Sequence, residues 1–221
     1  MSTARARPEL RVVSDVTAAA LALFMDLGVR TVVLCGGNTP KHLYESLAAT
    51  DYQWDEVEFF FGDERCLPQD DPRSDVGMAY RTLVSRVPGR WYPIDGASCD
   101  ADGYEQTLRN RFGDHPAFDL AFYGLGSDGH TASLFPGKPE VNETVRWVVR
   151  VPEAGLEPFV PRVSMTIPLL SAAAVGVFLV AGEEKKWALA ALMAGEDIPA
   201  ARLAPARLIV LADHAAAGDP D

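Results

Sequence analysis

A histidine two residues after an aspartate, in a loop loosened by glycine, is the strongest chemical signal in this 221-residue chain. It lies in GLGSDGHTASLFPG (124–137), directly after the apolar run FDLAFY. Imidazole is the side chain best suited to accept a proton near neutral pH, and a neighbouring carboxylate fixes its tautomer and raises its basicity. The other histidines are less promising: His42 falls in a helical pattern, and His115 and His214 lie in polar surroundings. None shows a metal-ligand spacing such as H-E-x-x-H. His130 is therefore the predicted general base, with Asp128 as its partner, and neither a metal nor another cofactor is expected.

Two competing readings of the same stretch fail on spacing. GLGSDG has the G-x-G-x-x-G form of a dinucleotide-binding turn, but that motif opens a helix of about three turns. Here Pro136-Gly137 follows within a few residues, and Pro139 comes soon after. A serine-hydrolase elbow, G-x-S-x-G, would need glycine where Leu125 stands.

Three further groups of residues could meet an anion. CGGNTP (35–40) removes side chains at Gly36 and Gly37 and precedes a helix whose first N–H groups are free. It is not a Walker A loop, because the spacing to a Lys-Ser/Thr pair is wrong. GDER (62–65) puts Asp63, Glu64 and Arg65 after an apolar run, where Arg65 can orient an anion or stabilise an oxyanion. Arg162 opens the run RVSMTI, and Lys185 sits in the first turn of a helix, where a cation opposes the helix dipole unless it faces an anion.

These residues need a scaffold that brings strand ends together. Strands are predicted at 9–13, 31–35, 57–61, 118–123, 145–149, 162–167, 175–180 and 207–212. Helices are predicted after Ser14 as N-cap, after Thr39 as N-cap with Pro40 first in the helix, after Ser74 through Val87, over 101–112 and over 183–193. Apolar strands alternating with helices imply an α/β protein: a Rossmann-like three-layer sandwich with a mostly parallel central sheet covered by helices on both faces. Ligands of such sheets bind beyond the carboxyl ends of the strands. CGGNT, GDER and GLGSDGH each begin where a predicted strand ends.

Composition narrows the partners. The chain is 48% hydrophobic and 23% charged, is expected to form one domain over 1–221, and carries a formal net charge of −11. That charge argues against nucleic acid or an anionic membrane surface, yet a local cationic cluster can still dominate one pocket. No segment reaches the ~18 apolar residues of a membrane span, and MSTARARPEL has no apolar core of a signal peptide. Cys35, Cys66 and Cys99 show no C-x-x-C pairing, so free thiols in the cytoplasm are expected.

Together, CGGNTPKHLYESLA, FFGDERCLPQDDPRSD, FDLAFYGLGSDGHTASLFPG and PRVSMTIPLLSAAAVGVFLVAGEEKKWALAAL resemble the 6-phosphogluconolactonase family, in order from about residue 30 to 193. Two departures stand out: the family's S-G-G-S-T-P reads CGGNTP here, and its S-N after the acidic loop reads Ser74-Asp75. The related glucosamine-6-phosphate deaminases follow their D-G-H loop with a segment whose glutamate assists ring opening; ASLFPG has no acid before Glu140.

The resemblance implies hydrolysis of 6-phosphoglucono-1,5-lactone to 6-phosphogluconate in the pentose phosphate pathway, by a cytoplasmic monomer. His130 would activate water, Asp128 orient it, and Arg65 stabilise the oxyanion. Gly36, Gly37, Thr39, Arg162 and Lys185 would hold the phosphate, with Asn38 and Asp63 completing the substrate-binding set. A lactone carbonyl is electrophilic enough to need neither metal nor covalent nucleophile. A deaminase or isomerase, and a non-catalytic sugar-phosphate sensor, are the alternatives left open.

Overall fold

The computed structural model describes residues 8–218; the segment MSTARAR, on which the signal-peptide expectation rests, lies outside the described residues. In chain order, β1 (Glu9–Val12) leads to α1 (Val16–Leu27), and β2 (Thr31–Leu34) to α2 (Asn38–Leu47). β3 (Glu58–Phe61) is followed by β4 (Asp63–Arg65), α3 (Asp75–Thr82) and the short β5 (Arg90–Trp91). Then come α4 (Ala101–Phe112), β6 (Phe118–Gly124), β7 (Val148–Val151), β8 (Arg162–Met165) and α5 (Ile167–Leu170). β9 (Ala173–Val180), α6 (Lys186–Ala194), β10 (Arg207–Ala212) and α7 (His214–Ala217) complete the chain.

Seven strands form one parallel sheet in the order β1-β10-β9-β6-β2-β3-β5. Consecutive strand residues point to opposite faces, and Val32, Val33 and Leu34 are all buried, as are Phe59, Phe60 and Phe61. Both faces of the central strands are therefore covered, which the uninterrupted apolar runs predict. The chain moves outward from β2 through β3 to β5, then returns to the other side of β2 with β6. This reversal is the topological switch point of the sheet, where ligands of such folds bind. There the strand ends meet closely: at Gly124, the nearest atom to an added Cβ would be the Gly36 carbonyl oxygen, 4.0 Å away.

The runs VRWVV and RVSMTI are not part of this sheet. β7 and β8 pair antiparallel with β4 in a separate three-stranded sheet. The connection from β7 to β8 contains no crossover helix, and a parallel pairing would require one. Two helix starts also differ from expectation. Asp15, not Ser14, caps α1, its Oδ1 accepting from the Ala18 N–H at 3.0 Å. Gly37, at φ 116°, precedes α2 in place of Thr39 and supplies no side-chain cap, so the first N–H groups of α2 stay available. Ser74 does cap α3, accepting from Gly77, but α3 ends at Thr82 instead of continuing to Val87.

The free-thiol expectation is corrected for two of the three cysteines. Cys66 and Cys99 form a disulfide with Cα atoms 5.0 Å apart, and Cys35 remains free. A tight loop contact brings the pair together, for a Cβ on Gly96 would crowd the carbonyl oxygens of Arg65 and Leu67. Spacing along the chain cannot reveal such an approach. Among the described residues, no helix is long and apolar enough to cross a membrane.

Register between β2 and β6 is pinned at the edge opposite the switch point. Asp119 Oδ2 accepts from the N–H groups of Arg30 (2.8 Å) and Thr31 (2.9 Å), and Thr31 Oγ1 accepts from the Asp119 N–H (2.9 Å). Asp119→Ala should cost about 1 kcal/mol, read as a lower urea midpoint with an unchanged m-value; an unaltered midpoint would deny this clamp its role.

Candidate active site

The catalytic candidates sit in a loop that local chemistry shapes. Asp128 Oδ1 accepts from the backbone N–H of His130 at 3.0 Å, an Asx turn across a glycine at φ 85°. The same oxygen lies 2.6 Å from His130 Nδ1. A carboxylate only accepts, so Nδ1 carries the proton in this pair and Nε2 is the ring's open nitrogen. Burial opposes the Asp128 charge, but hydrogen bonds from the His130 ring and N–H outweigh it and hold the carboxyl below its ordinary range. The loop closes through Gly126 N–H to the His130 carbonyl (2.9 Å), and Phe135 packs 4.7 Å from the imidazole. Gly126 is essential to this arrangement, because a Cβ there would land on the His130 ring.

β4 supplies the charged groups. Its alternation sends Asp63 and Arg65 to one face and Glu64 to the other. Buried Glu64 accepts from the N–H groups of Arg65 (2.6 Å), Asp75 (3.0 Å) and Val76 (2.6 Å), and from Ser74 Oγ (2.7 Å). It thus holds the N-terminus of α3 against β4, although burial still raises its carboxyl above the usual range. On the other face, Asp63 Oδ2 accepts from Ser133 Oγ at 2.5 Å, and the Ser133 N–H donates to Ser164 Oγ at 3.2 Å. These bonds tie the His130 loop to the β4–β8 ribbon.

Arg65 stands directly opposite Arg162 in that ribbon. Like charges in this position repel. Each has a buried Nε with no hydrogen-bond partner among the described residues. Arg65 donates from Nη1 to the Arg73 carbonyl (2.5 Å) and Asp75 Oδ1 (2.9 Å), and Arg162 from Nη2 to the Pro158 carbonyl (2.9 Å). Burial lowers the Arg162 pKa, with Arg65 pushing the same way against the nearby carboxylates. Two crowded, partly unsatisfied guanidiniums are an arrangement that an anion would relieve.

A cleft of about 500 Å³ opens beside Arg65, lined also by Gly37, Asn38, Lys41, Ser74, Asp75 and Arg81. Among the expected residues, Gly36, Gly37, Asn38 and Thr39 are gathered with Arg65 around this cleft and the turn into α2. Asp63 and Arg162 share the ribbon, and Asp128 and His130 form the adjoining loop without lining the cleft. Lys185 is set apart in the turn after β9, at the same edge of the sheet; the neighbouring Glu183 pairs with Lys186 (3.0 Å), not with it. Sequence reasoning missed Glu64 as a loop anchor, Ser133 as a link and Asp75 as a buried partner of Arg65. Their partners lie tens of residues away or across a turn. Glu64 gave no signal of a separate role, because GDER reads as the segment after a strand and not as the strand β4 whose alternation sets it apart. Among the described residues, no group of three or more His, Cys, Asp or Glu side chains is arranged to hold a metal ion.

The chain as a whole is similar to known proteins. The family described as glucosamine-6-phosphate isomerases/6-phosphogluconolactonase matches residues 6–213. The chain belongs to that family. A 6-phosphogluconolactonase of Synechocystis sp. is 39% identical over 193 residues, covering 82% of this chain and 78% of the relative. A probable 6-phosphogluconolactonase of Arabidopsis thaliana is 34% identical over 215 residues, covering 86% and 83%. The structure of 6-phosphogluconolactonase from Trypanosoma cruzi superposes with a TM-score of 0.88 at 27% identity, covering 99% of this chain and 98% of that one.

If Gly126 admits the His130 ring, Gly126→Ala should push the ring off Asp128. By NMR, the downfield Nδ1–H signal should vanish and the Asp128 carboxyl should titrate at higher pH than in the parent. Retention of both features would show that the pair does not depend on this close approach.

Proposed function

We propose that this protein hydrolyses 6-phosphoglucono-1,5-lactone to 6-phosphogluconate, the lactone-opening step of the pentose phosphate pathway. Membership of the family and the names of its relatives support the reaction. The observation that carries the mechanism is the His130–Asp128 pair at 2.6 Å, tied through Ser133 and Asp63 to two arginines with unpaired Nε–H groups.

His130 Nε2 removes a proton from water as the water oxygen attacks C1 of the lactone. Asp128, held ionised by its bonds to His130, orients the ring and stabilises the imidazolium that forms. Arg65 and loop N–H groups stabilise the tetrahedral oxyanion, an effect worth about 3 kcal/mol per donor in comparable sites. As the C1–O5 bond breaks, His130 returns its proton to the ring oxygen and the acid is released. Gly36, Gly37 and Thr39 offer donors at the start of α2, and Arg162 and Lys185 add charge for the 6-phosphate. Asn38 and Asp63 border the same substrate volume. Anchoring the remote phosphate fixes the carbonyl relative to His130. We assign this work to a single chain in the cytoplasm, without nucleic-acid or membrane partners. The family also includes amino-sugar-phosphate isomerases, but the segment from Ala132 to Gly137 holds no acid to assist a sugar ring opening.

His130→Ala should lower kcat by about two or more orders of magnitude while binding of 6-phosphogluconate persists. Near-normal turnover would remove His130 as the base, and ammonia release from glucosamine 6-phosphate would move the protein to the deaminase branch. Lys185→Ala should raise KM with little change in kcat; an unchanged KM would take Lys185 out of the phosphate site.

A further inference from the structure

Asp75 has a place in this site that the lactonase chemistry leaves unused. It opens α3, and its Oδ1 accepts from Arg65 at 2.9 Å with the carboxyl side chain only 10% exposed. Its carboxyl group lies flat on the Gly36 backbone, so closely that a Cβ on Gly36 would overlap it. It also lines the cleft with Gly37, Asn38 and Arg65. The carboxyl thus sits between the turn that offers backbone donors and the arginine that offers charge.

The charges around it do not balance an incoming anion. From β4 come Asp63, Glu64 and Arg65, and from β8 Arg162. The Cys35 thiol at the end of β2 and the Tyr44 hydroxyl of α2 face it as well, and burial keeps both neutral. Lys41 and Arg81 stand on the cleft wall, where Lys41 lies within 3.8 Å of Glu45. When Asp75 is ionised, it and Asp63 lie on the face of β4 that carries half-buried Arg65 and buried Arg162, with Glu64 adding negative charge from the other face, and Arg65 is already engaged by Asp75. A dianionic phosphate held at the Gly36–Gly37 turn comes to lie beside the Asp75 carboxylate, and that repulsion is relieved only if a negative charge is removed.

We propose that Asp75 is a positioning residue that holds Arg65 in the free protein and loosens that hold by taking up a proton when the substrate's anionic group binds beside it at the Gly36–Gly37 turn. The identity of that anion as a sugar phosphate rests on the lactonase reading; the loosening at Arg65 does not. Burial, joined by repulsion from Asp63 and Glu64 and opposed by Arg65 and Arg162, raises the Asp75 carboxyl to about 8. A bound dianion raises it further, so the bound form holds a proton that the free form has shed above that pH. By reciprocity, affinity falls as pH rises past about 8, approaching about tenfold per unit. A sugar phosphate is fully dianionic there, since its second ionisation lies near 6, and adds no proton change of its own.

The test is calorimetric titration with 6-phosphogluconate at pH 8.5, in two buffers of different ionisation enthalpy, with Kd followed from pH 6.5 to 9.5. The wild-type protein should take up most of one proton per ligand bound and lose affinity steeply above pH 8. Asp75→Asn, which keeps an oxygen for Arg65 but cannot titrate, should show no uptake and a flat Kd over that range. Wild-type binding without proton uptake and with a flat Kd would overturn the proposal, whether or not the variant folds. If 6-phosphogluconate fails to bind at any pH, the lactonase reading fails, and inorganic sulfate replaces it as probe: proton-coupled sulfate binding would still support the role of Asp75, and its absence would refute it.

Discussion

Arg65, half-buried, and Arg162, buried, face each other across an antiparallel pair in a protein of net charge −11. Two like charges at this position repel, and burial removes the water that would otherwise soften the contact. The surrounding structure answers that strain. Asp63 and Asp75 flank the guanidiniums on one face of β4, while Glu64, on the other, gathers the N-terminus of α3 so that Asp75 meets Arg65. The Ser133 hydroxyl binds Asp63 and thereby places the His130 loop against the same ribbon. Cation placement, loop position and the orientation of His130 are therefore parts of one hydrogen-bonded unit that leaves two arginine Nε–H groups without a partner among the described residues.

The proposed base, His130, depends on shorter-range chemistry. Asp128, Gly129 and His130 make an Asx turn whose acceptor also binds the imidazole, and Gly126 leaves room for the ring. This explains why the stretch mimics a dinucleotide fingerprint without being one. Its glycines serve a turn folded back on its own histidine, not a crossover helix.

Much of this was legible in the sequence because it is local. Uninterrupted apolar runs disclosed the strands of the parallel sheet, α4 matched its predicted limits, and the strand-end motifs marked the switch point. Ser74 was readable as a cap because its partner is three residues away. What escaped depends on contacts between distant segments. β7 and β8 read as further parallel strands, because strand residues look alike whichever partner they find. Cys66 and Cys99 approach only through a loop contact. The start of α2 was misplaced because Thr39 has the chemistry of a cap but the glycine before Asn38 takes the bend. Asp75 could be noted as a departure at its position, but its burial beneath the Gly36 turn belongs to the tertiary structure.

The account stands or falls on whether this chain accelerates lactone opening. The direct measurement generates 6-phosphoglucono-1,5-lactone in situ and compares its decay with and without the protein at neutral pH. The account predicts decay that is much faster than the spontaneous rate, first order in protein, and yields 6-phosphogluconate. Decay at the spontaneous rate at every protein concentration would contradict it.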